Sequence, residues 1–228
     1  ADKDQKYKSF NAPSLDAPVE ELKQFFFDSG IWPLINQRPY DIVPDQEVTP
    51  ENIFISGFNT APLATNTNLI VKGNGQYLQK GIDVLNKMTS GDVHLGLDGR
   101  AGHKPSDELI GLDNVNKHWF DGKHPAGNVG VQIHHIKPIS GSNSVWTLKL
   151  ETVILIGRLF ISGKFDTSRV VSLNGTPLSE RNHVRTYMGA SIDELLKGKI
   201  TDKSKKYRNV IGDVLSGLHA WKDDFMCA

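Results

Sequence analysis

Histidines are the residues of this sequence whose type and spacing most directly suggest chemistry. Four of them, at positions 118, 124, 134 and 135, lie close together in the chain. Neutral imidazole is a common metal ligand, so a metal site is the first chemistry to consider. No HExxH or CxxC motif accompanies the histidines, and the adjacent His134 and His135 would point in different directions. The pattern therefore favours hydrogen-bonded or solvent-facing histidines over a metal site.

A glycine-rich junction, FDGKHPAGNVG at positions 120–130, overlaps the histidine group. It leaves a strand pattern and enters a helical one, and such a junction can present free N–H groups to an anion. It matches neither the GxGxxG fingerprint nor a Walker A loop, because no Gly-Lys-Ser/Thr follows. The GxSxG nucleophile elbow of hydrolases is also absent from the sequence. Two interpretations stay open for the junction, a structural turn and a contact with a ligand or partner.

Three other features could carry chemistry but have ordinary explanations. The basic run KSKKYR at 203–208 could touch phosphate or lipid headgroups, although such runs are usually solvated loops. The tryptophans at 32, 119, 146 and 221 could flank a planar cofactor, although most tryptophans pack in cores or interfaces. The single cysteine, Cys227, can form neither an internal disulfide nor an iron–sulfur site.

The elements that would position these residues alternate between strand and helix. A first helix is predicted to follow Asp16, its expected cap, and to end at Gly30. Apolar periodicity predicts strands at 52–57, 92–97, 114–120 and 145–150, with helices at 76–88 and 127–136. Residues 31–50 contain four prolines and predict an irregular loop, while residues 151–162 fit either a strand or a buried helix. Strand, helix and strand in this order predict a largely parallel sheet covered by helices, an α/β fold.

The pattern changes after Gly163. Two strand patterns, at 169–173 and 183–188, flank an Asn174-Gly175 pair that favours a type I′ hairpin turn. Ser191 to Glu194 is a capping box that predicts a short helix ending at Lys197. Strand character returns from Tyr207 to Leu215. A small α+β module is therefore predicted, with its boundary near 163–166.

Composition sets the outer limits. The chain has 228 residues, 38% of them hydrophobic, which is enough for a real core. Its 26 basic and 26 acidic residues balance, which argues against a general nucleic-acid or anionic-membrane binder while leaving a local patch possible. The longest apolar stretch, 152–163, is interrupted by Arg158 and is shorter than the roughly 20 residues of a spanning helix. The start has no apolar signal segment, and the scarcity of cysteine fits a reducing cytoplasm. Without an initiator Met, and ending at FMCA, the chain is expected to be a piece of a longer protein.

An ordered set of short phrases carries more information than periodicity. In chain order they are SGIW at 29–32, RPY at 38–40, NTAPLA at 59–64, HPAG at 124–127, IGRLF at 156–160, RVVSL at 169–173, VRT at 184–186, GAS at 189–191 and VLSG at 214–217. In this order and spacing, from residue 17 to 220, the chain resembles the A subunit of the Na+-translocating NADH:quinone reductase.

The resemblance implies a peripheral subunit on the cytoplasmic face of the bacterial inner membrane, in a pump that passes electrons from NADH to ubiquinone and moves Na+ outward. Its partners would be ubiquinone and the other subunits, especially the quinone-end membrane subunit, with no nucleic acid. The implied organisation is a linker or arm at 1–16, an α/β domain like the FMN domain of the complex I flavoprotein at 17–163, and a truncated β-grasp module of the soluble-ligand-binding type at 164–228.

One departure from the flavin-binding relatives bears on the cofactor. In those relatives a glycine-rich loop follows the first helix and lets backbone approach the FMN phosphate, whereas Trp32, Pro33 and Leu34 stand there in this chain. The acidic residue of the relatives' Glu-Pro phrase is replaced in Thr60-Ala61-Pro62. The hypothesis is therefore a subunit with no redox centre of its own, no catalytic residue and no bound metal.

In this hypothesis the chain contributes subunit docking and contacts to a quinone. The resemblance and the chemistry of the side chains suggest six contact residues for quinone or a partner, namely Trp32, Arg38, His124, Pro125, Ala126 and Gly127. Two alternatives stay open. One is a true flavoprotein domain that binds FMN through a different loop, and the other is a purely structural scaffold.

Overall fold

A five-stranded sheet with helices on both faces forms the larger part of the computed structural model. The structure describes residues 8–141, 143–202, 204–221 and 223–226. Cys227, Lys203 of the basic run and the first seven residues of the predicted arm lie outside these ranges. Within them, no helix combines the length and the apolar character that a membrane crossing requires.

The helices and strands have the following bounds. The helices are α1 (Val19–Ser29), α2 (Thr67–Val71), α3 (Gly75–Met88), α4 (Asp107–Ile110), α5 (Val129–Ile136), α6 (Leu150–Ser162) and α7 (Ile192–Leu196), with a 3₁₀ turn at Trp32–Leu34. The strands are β1 (Asn36–Arg38), β2 (Ile53–Ser56), β3 (Val93–Asp98), β4 (Asn116–Phe120), β5 (Val145–Leu148), β6 (Ser168–Leu173), β7 (Asn182–Tyr187), β8 (Asn209–Ile211) and β9 (Leu218–Ala220).

The strand order in the large sheet is β1-β5-β2-β3-β4, and all pairs are parallel except β1 with β5. This confirms the predicted α/β class with a largely parallel sheet. Alternate residues of β2 face opposite sides. Ile53 and Ile55 join the core under α1, α3 and α6, while Phe54 packs with Ile133 of α5 on the other face. We call this part, residues 17–163, the sheet region.

The stretch 151–162, which fitted either a strand or a helix, is the helix α6. Its apolar residues are buried almost all around its circumference, so they show no single apolar face. Gly157 packs directly on the backbone of α3, where a Cβ would overlap the Tyr77 carbonyl oxygen. Gly163, in the left-handed conformation at φ 66°, ends the helix.

Several local predictions need correction. The loop at 31–50 contains a 3₁₀ turn and the three-residue strand β1, which fits between Pro33 and Pro39 at the sheet edge. Asp16 does not cap α1, because the helix begins at Val19 and no side chain caps it. The helix α2 is absent from the predicted elements, being too short to show a clear period.

The part from 164 to 226, which we call the hairpin region, consists of two separate two-stranded sheets and α7. Residues 174–181 connect β6 to β7, so Asn174-Gly175 is not a two-residue type I′ turn. The capping box is confirmed in part, since the Ser191 side chain accepts a hydrogen bond from the amide of Glu194. The predicted strand at 207–215 is reduced to β8, because the chain turns after Ile211.

A buried arginine joins the two regions. Arg158 of α6 donates to the carbonyl oxygens of Asp166 and Ser168, at 3.2 and 3.1 Å, and to the Ser168 hydroxyl at 2.8 Å. Its other terminal nitrogen donates to the Asn74 side chain at 3.0 Å, and Asp166 supplies a carboxylate at 3.4 Å. The first residues of the hairpin region are therefore fixed to the interior of the sheet region.

Candidate functional site at the carboxyl edge of the sheet

The parallel strands β2, β3, β4 and β5 end at Ser56, Asp98, Phe120 and Leu148, and these ends share one edge of the sheet. In open α/β sheets, ligands bind outside the carboxyl ends of the strands, above all where the strand order reverses. Here β2 lies between β5 and β3, so the order reverses beside β2. The carboxyl edge is therefore the first place to look for a site.

The segment from His124 to Gly127, which carries four of the predicted contact residues, lies at this edge and is fastened to the loop after β2. The Gly127 amide donates to the Thr60 hydroxyl at 3.0 Å, and the Gly127 carbonyl accepts from the Ser56 hydroxyl at 2.9 Å. The Thr60 hydroxyl lies 3.2 Å from Nδ1 of His124. A Cβ on residue 127 would lie 2.6 Å from the Thr60 amide nitrogen, so only glycine allows this close approach.

These contacts decide which groups of the segment can still reach a ligand. Pro125 has no amide hydrogen, Ala126 donates its own to Lys123 at 2.9 Å, and Gly127 donates to Thr60. The backbone amides of Ala126 and Gly127 thus already have acceptors within the protein. The half-buried His124 imidazole is the group left to offer a polar contact. The Thr60 hydroxyl, which accepts from Gly127, can give its own proton to Nδ1 of His124 and so place the imidazole proton on Nε2.

A second polar cluster follows β3. Asp98 accepts two hydrogen bonds from the guanidinium of Arg100, at 2.9 and 2.7 Å, and lies 3.4 Å from Nδ1 of His103. Burial alone would raise the pKa of Asp98, but the hydrogen bonds and charge of Arg100 hold it below the ordinary value. Arg100, which also stands over the Phe58 ring, is therefore neutralised within the protein and is not a free anion receptor. The sequence signal for this cluster is Asp98-Gly99-Arg100 at the end of a strand pattern, which sequence reasoning missed.

A small cavity lies at the carboxyl end of β5, on the side away from β2. Leu34 closes it from the 3₁₀ turn, α6 begins directly after β5, and residues 166–169 and Met188 cover it from the hairpin region. The cavity that remains is about 30 Å³. Pockets for ligands of cofactor size are typically about 300–1,000 Å³. This cavity is therefore too small for a ligand of that size.

Trp32 and Arg38 do not join the His124 segment. Trp32 is buried, stacks on Phe27 with centroids 4.5 Å apart and donates from Nε1 to the Pro44 carbonyl at 2.8 Å. Arg38 pairs with Val145, the first residue of β5, which places it at the amino edge of the sheet. There its Nε lies 3.7 Å from Asp41. The structure thus gathers four of the six predicted residues and leaves the other two elsewhere.

The histidine group is also divided. His118 lies 3.1 Å from Nδ1 of His94 on the neighbouring strand, a residue that the sequence did not single out because it sits inside a strand pattern. The other nitrogen of His94 lies 3.2 Å from Oδ1 of Asn52. That oxygen also accepts from the Asp92 amide, so His94 donates from Nε2 and accepts at Nδ1 from His118. Burial lowers the pKa of both imidazoles, and the charge of His118 lowers that of His94 further. In the described ranges no three metal-ligating side chains meet.

Comparisons with known proteins give the chain its relatives. Residues 17–165 match the family described as "NqrA second alpha/beta domain", and residues 170–221 match the "NQRA C-terminal domain". The A subunit of the Na+-translocating NADH-quinone reductase of Neisseria gonorrhoeae is 33% identical over 88% of this chain and 44% of its own length. The corresponding protein of Vibrio vulnificus is 35% identical over 94% of this chain and 46% of its own, and that of Alcanivorax borkumensis is 36% identical with the same coverage. The chain thus spans under half the length of these relatives.

A solved structure shares the fold at low sequence identity. A chain of the NAD+-reducing [NiFe]-hydrogenase in its H2-reduced state superposes with a TM-score of 0.57 and 11% identity, over 91% of this chain and 46% of that one. At this identity the likeness concerns the fold alone. It supports the α/β architecture described above.

Proposed function

Because this chain belongs to the A-subunit family of the Na+-translocating NADH-quinone reductase, we propose that it serves as a peripheral part of that pump and carries no redox centre. Its place would be the cytoplasmic face of the bacterial inner membrane, and its partners the other subunits, above all the quinone-end membrane subunit. Within it, residues 17–163 would form the flavoprotein-like domain and residues 164–228 a β-grasp module.

The observation that carries the quinone role is the fastened His124 segment at the carboxyl edge. A quinone needs a donor to its carbonyl oxygen and apolar surroundings for its ring. His124 can present Nε2–H, with Nδ1 held by Thr60, and Pro125 and Ala126 supply apolar surface next to it.

Features of the same edge also support the part of the proposal that the chain binds no flavin. The cavity at the carboxyl end of β5 is only about 30 Å³, and Arg100, which follows β3 at this edge, is bound to Asp98. The flavoprotein alternative would need a different place for FMN. Purified chain incubated with FMN and then desalted should show no flavin absorbance, and stoichiometric flavin after desalting would overturn this part of the proposal.

Quinone binding is tested by titrating the 228-residue chain with a short-chain ubiquinone while following tryptophan fluorescence. Trp119, exposed on β4 shortly before the segment, is a suitable reporter. We expect saturable quenching that His124→Ala weakens at least tenfold, because the carbonyl loses its donor. His134→Ala, on α5, is the matched control and should titrate like the parent chain. Equal quenching in the His124 variant would remove the site from this segment.

If the chain is purely a structural scaffold, the quinone titration should give a different result. In that case the chain shows no saturable quinone response, while co-purification with the membrane subunits survives every substitution at 124–127. We favour the binding role because a segment held only for docking would not need Thr60 to orient an imidazole.

A further inference from the structure

An exposed apolar surface in the hairpin region has no part in the quinone proposal. It comprises Val210, Val214, Leu215, Leu218 and Trp221, all between 45% and 69% exposed. These five large apolar side chains follow one another along a single hairpin and the turn that closes it. Because Val210 pairs with His219 and Leu218 pairs with Ile211, Val210 and Leu218 lie on opposite faces of the hairpin. Exposed apolar side chains gathered on one small element indicate an interaction site. We call these five residues the hairpin patch.

The turn that carries Val214 and Leu215 is closed by its own polar groups. The Asp213 carboxylate accepts from the amides of Leu215 and Ser216, at 2.7 and 2.9 Å, and from the Ser216 hydroxyl at 2.7 Å. The Gly217 amide donates to the Asp213 carbonyl at 2.9 Å. Polar backbone groups must be satisfied internally before a segment enters an apolar medium. The turn can therefore present two aliphatic side chains without leaving these backbone donors unpaired.

Basic side chains lie at the other end of the hairpin, beside the acidic Asp224, whose carboxylate accepts from the Trp221 amide. The run just before β8 contains Lys205, Lys206 and Arg208, all exposed, and only Lys205 among them has an ion-pair partner in the described ranges, Asp202 at 3.4 Å. Trp221 follows β9 at the same end, since Asn209 pairs with Ala220. Tryptophan favours the boundary between headgroups and acyl chains, and basic residues near it favour anionic lipids.

From this arrangement we propose that the hairpin patch binds the surface of an anionic lipid bilayer. Val214 and Leu215 would enter the boundary of the acyl chains, Trp221 would lie at headgroup level, and Lys206 and Arg208 would contact headgroup phosphates. The basic run favours an occupant with negative charge. A second copy of this chain, which has no net charge, would not provide it. The whole chain carries no net charge, so the attraction is local and depends on the hairpin's orientation.

The test is binding of the 228-residue chain to vesicles of phosphatidylcholine, with or without a third of phosphatidylglycerol, read by co-sedimentation and by the tryptophan emission maximum. We expect binding and a blue shift, from Trp221, with anionic vesicles, and little change with neutral ones. A Val214→Ser/Leu215→Ser double variant should bind at least tenfold more weakly. A Lys206→Ser/Arg208→Ser variant should lose about thirtyfold on anionic vesicles only.

Ile42→Ser/Val43→Ser is the matched control, because these two residues are similarly exposed, at 51% and 49%, but lie in the sheet region. It should bind vesicles like the parent chain. Inorganic phosphate at millimolar concentration should not displace the protein if the bilayer, and not phosphate alone, is recognised. Absence of vesicle binding, or equal binding by the turn variant, overturns the proposal. So does self-association in sedimentation velocity that the turn variant abolishes, because the surface would then pair with a second copy.

Discussion

The sheet region and the hairpin region bury their apolar residues very differently. Almost all buried hydrophobic side chains lie before residue 160, while the hairpin region contributes only Leu178, Ile192 and Ala220 among the described residues. The hairpin region in turn exposes the hairpin patch. The sheet region is therefore held together by its own core, whereas the hairpin region depends on turn hydrogen bonds and on its attachment through Arg158. A region with so little core is suited to present surface to partners, and substitutions in each region test this contrast.

The largest effect is expected where the core is tightest, at the crossing of α3 and α6. Gly157→Ala would place a Cβ on the Tyr77 carbonyl oxygen, and neither helix can move without disturbing the core beneath. We expect a loss of about 3 kcal/mol or more in the free energy of unfolding, measured by urea denaturation.

Gly130→Ala is the matched control for this substitution. Gly130 lies in α5, and a Cβ there would meet no atom within 4 Å. Alanine in a helix interior is favoured over glycine, so this variant should be unchanged or up to about 1 kcal/mol more stable. Equal losses in the two variants would mean that the helices do not approach as closely as the structure has them.

The connection between the regions is tested by Arg158→Met, which keeps length but removes the charge and the donors. The carbonyl oxygens of Asp166 and Ser168 lose their partner, so we expect a loss of about 3 kcal/mol. Hydrogen exchange should show β6 and β7 losing protection before the parallel strands do. Arg185→Met, an exposed position on β7, should cost less than about 0.5 kcal/mol. If both regions still lost protection together, they would not be joined mainly through Arg158.

How far the fold could be predicted follows the same division. β2, β3 and α3 were predictable because long apolar patterns ended at glycines or turn residues. In the sheet region β1 and α2 escaped because they are too short to show a period, whereas α6 stayed open between strand and helix because it is apolar on every side. In the hairpin region the Asn174-Gly175 pair favoured a tight turn, but side-chain contacts elsewhere decide the connection, including the bond from Asn174 to the Leu63 carbonyl.

Only one of the two segments that form the candidate site was predictable from the sequence. The glycines and the histidine of the junction signalled a special turn at 124–127, which the structure places at the carboxyl edge. Thr60, which holds His124 and Gly127, lies 64 residues away from His124 in the chain, and no local pattern gives such a pairing. His94 escaped for a similar reason, because a buried histidine inside a strand looks like any other member of the alternation.

A smaller and local effect is expected in the hairpin region from Ser191→Ala. The Ser191 hydroxyl caps α7 by accepting from the Glu194 amide at 3.4 Å, and loss of an N-cap costs about 1 kcal/mol. Because the region has little core, the loss should appear as faster hydrogen exchange of residues 192–196, while the sheet region keeps its melting temperature. A global drop in stability of the same size would show that the two regions unfold as one unit.

The smallest effect concerns pH and returns to the sheet region, where His94 accepts a hydrogen bond from His118 at Nδ1 and must therefore be neutral. Burial lowers both pKa values below the ordinary 6.5. As the pH falls, the unfolded chain therefore binds protons on these histidines at a higher pH than the folded chain does. Their contribution is present above pH 6.5 and is lost as the pH falls. The parent chain should therefore lose more stability between pH 7.5 and pH 5.5 than His94→Gln does, in denaturation curves at each pH. His219→Gln, on the exposed hairpin, should keep the slope of the parent chain. If it instead flattened the curve as much as His94→Gln, acid sensitivity would not be a property of the sheet core.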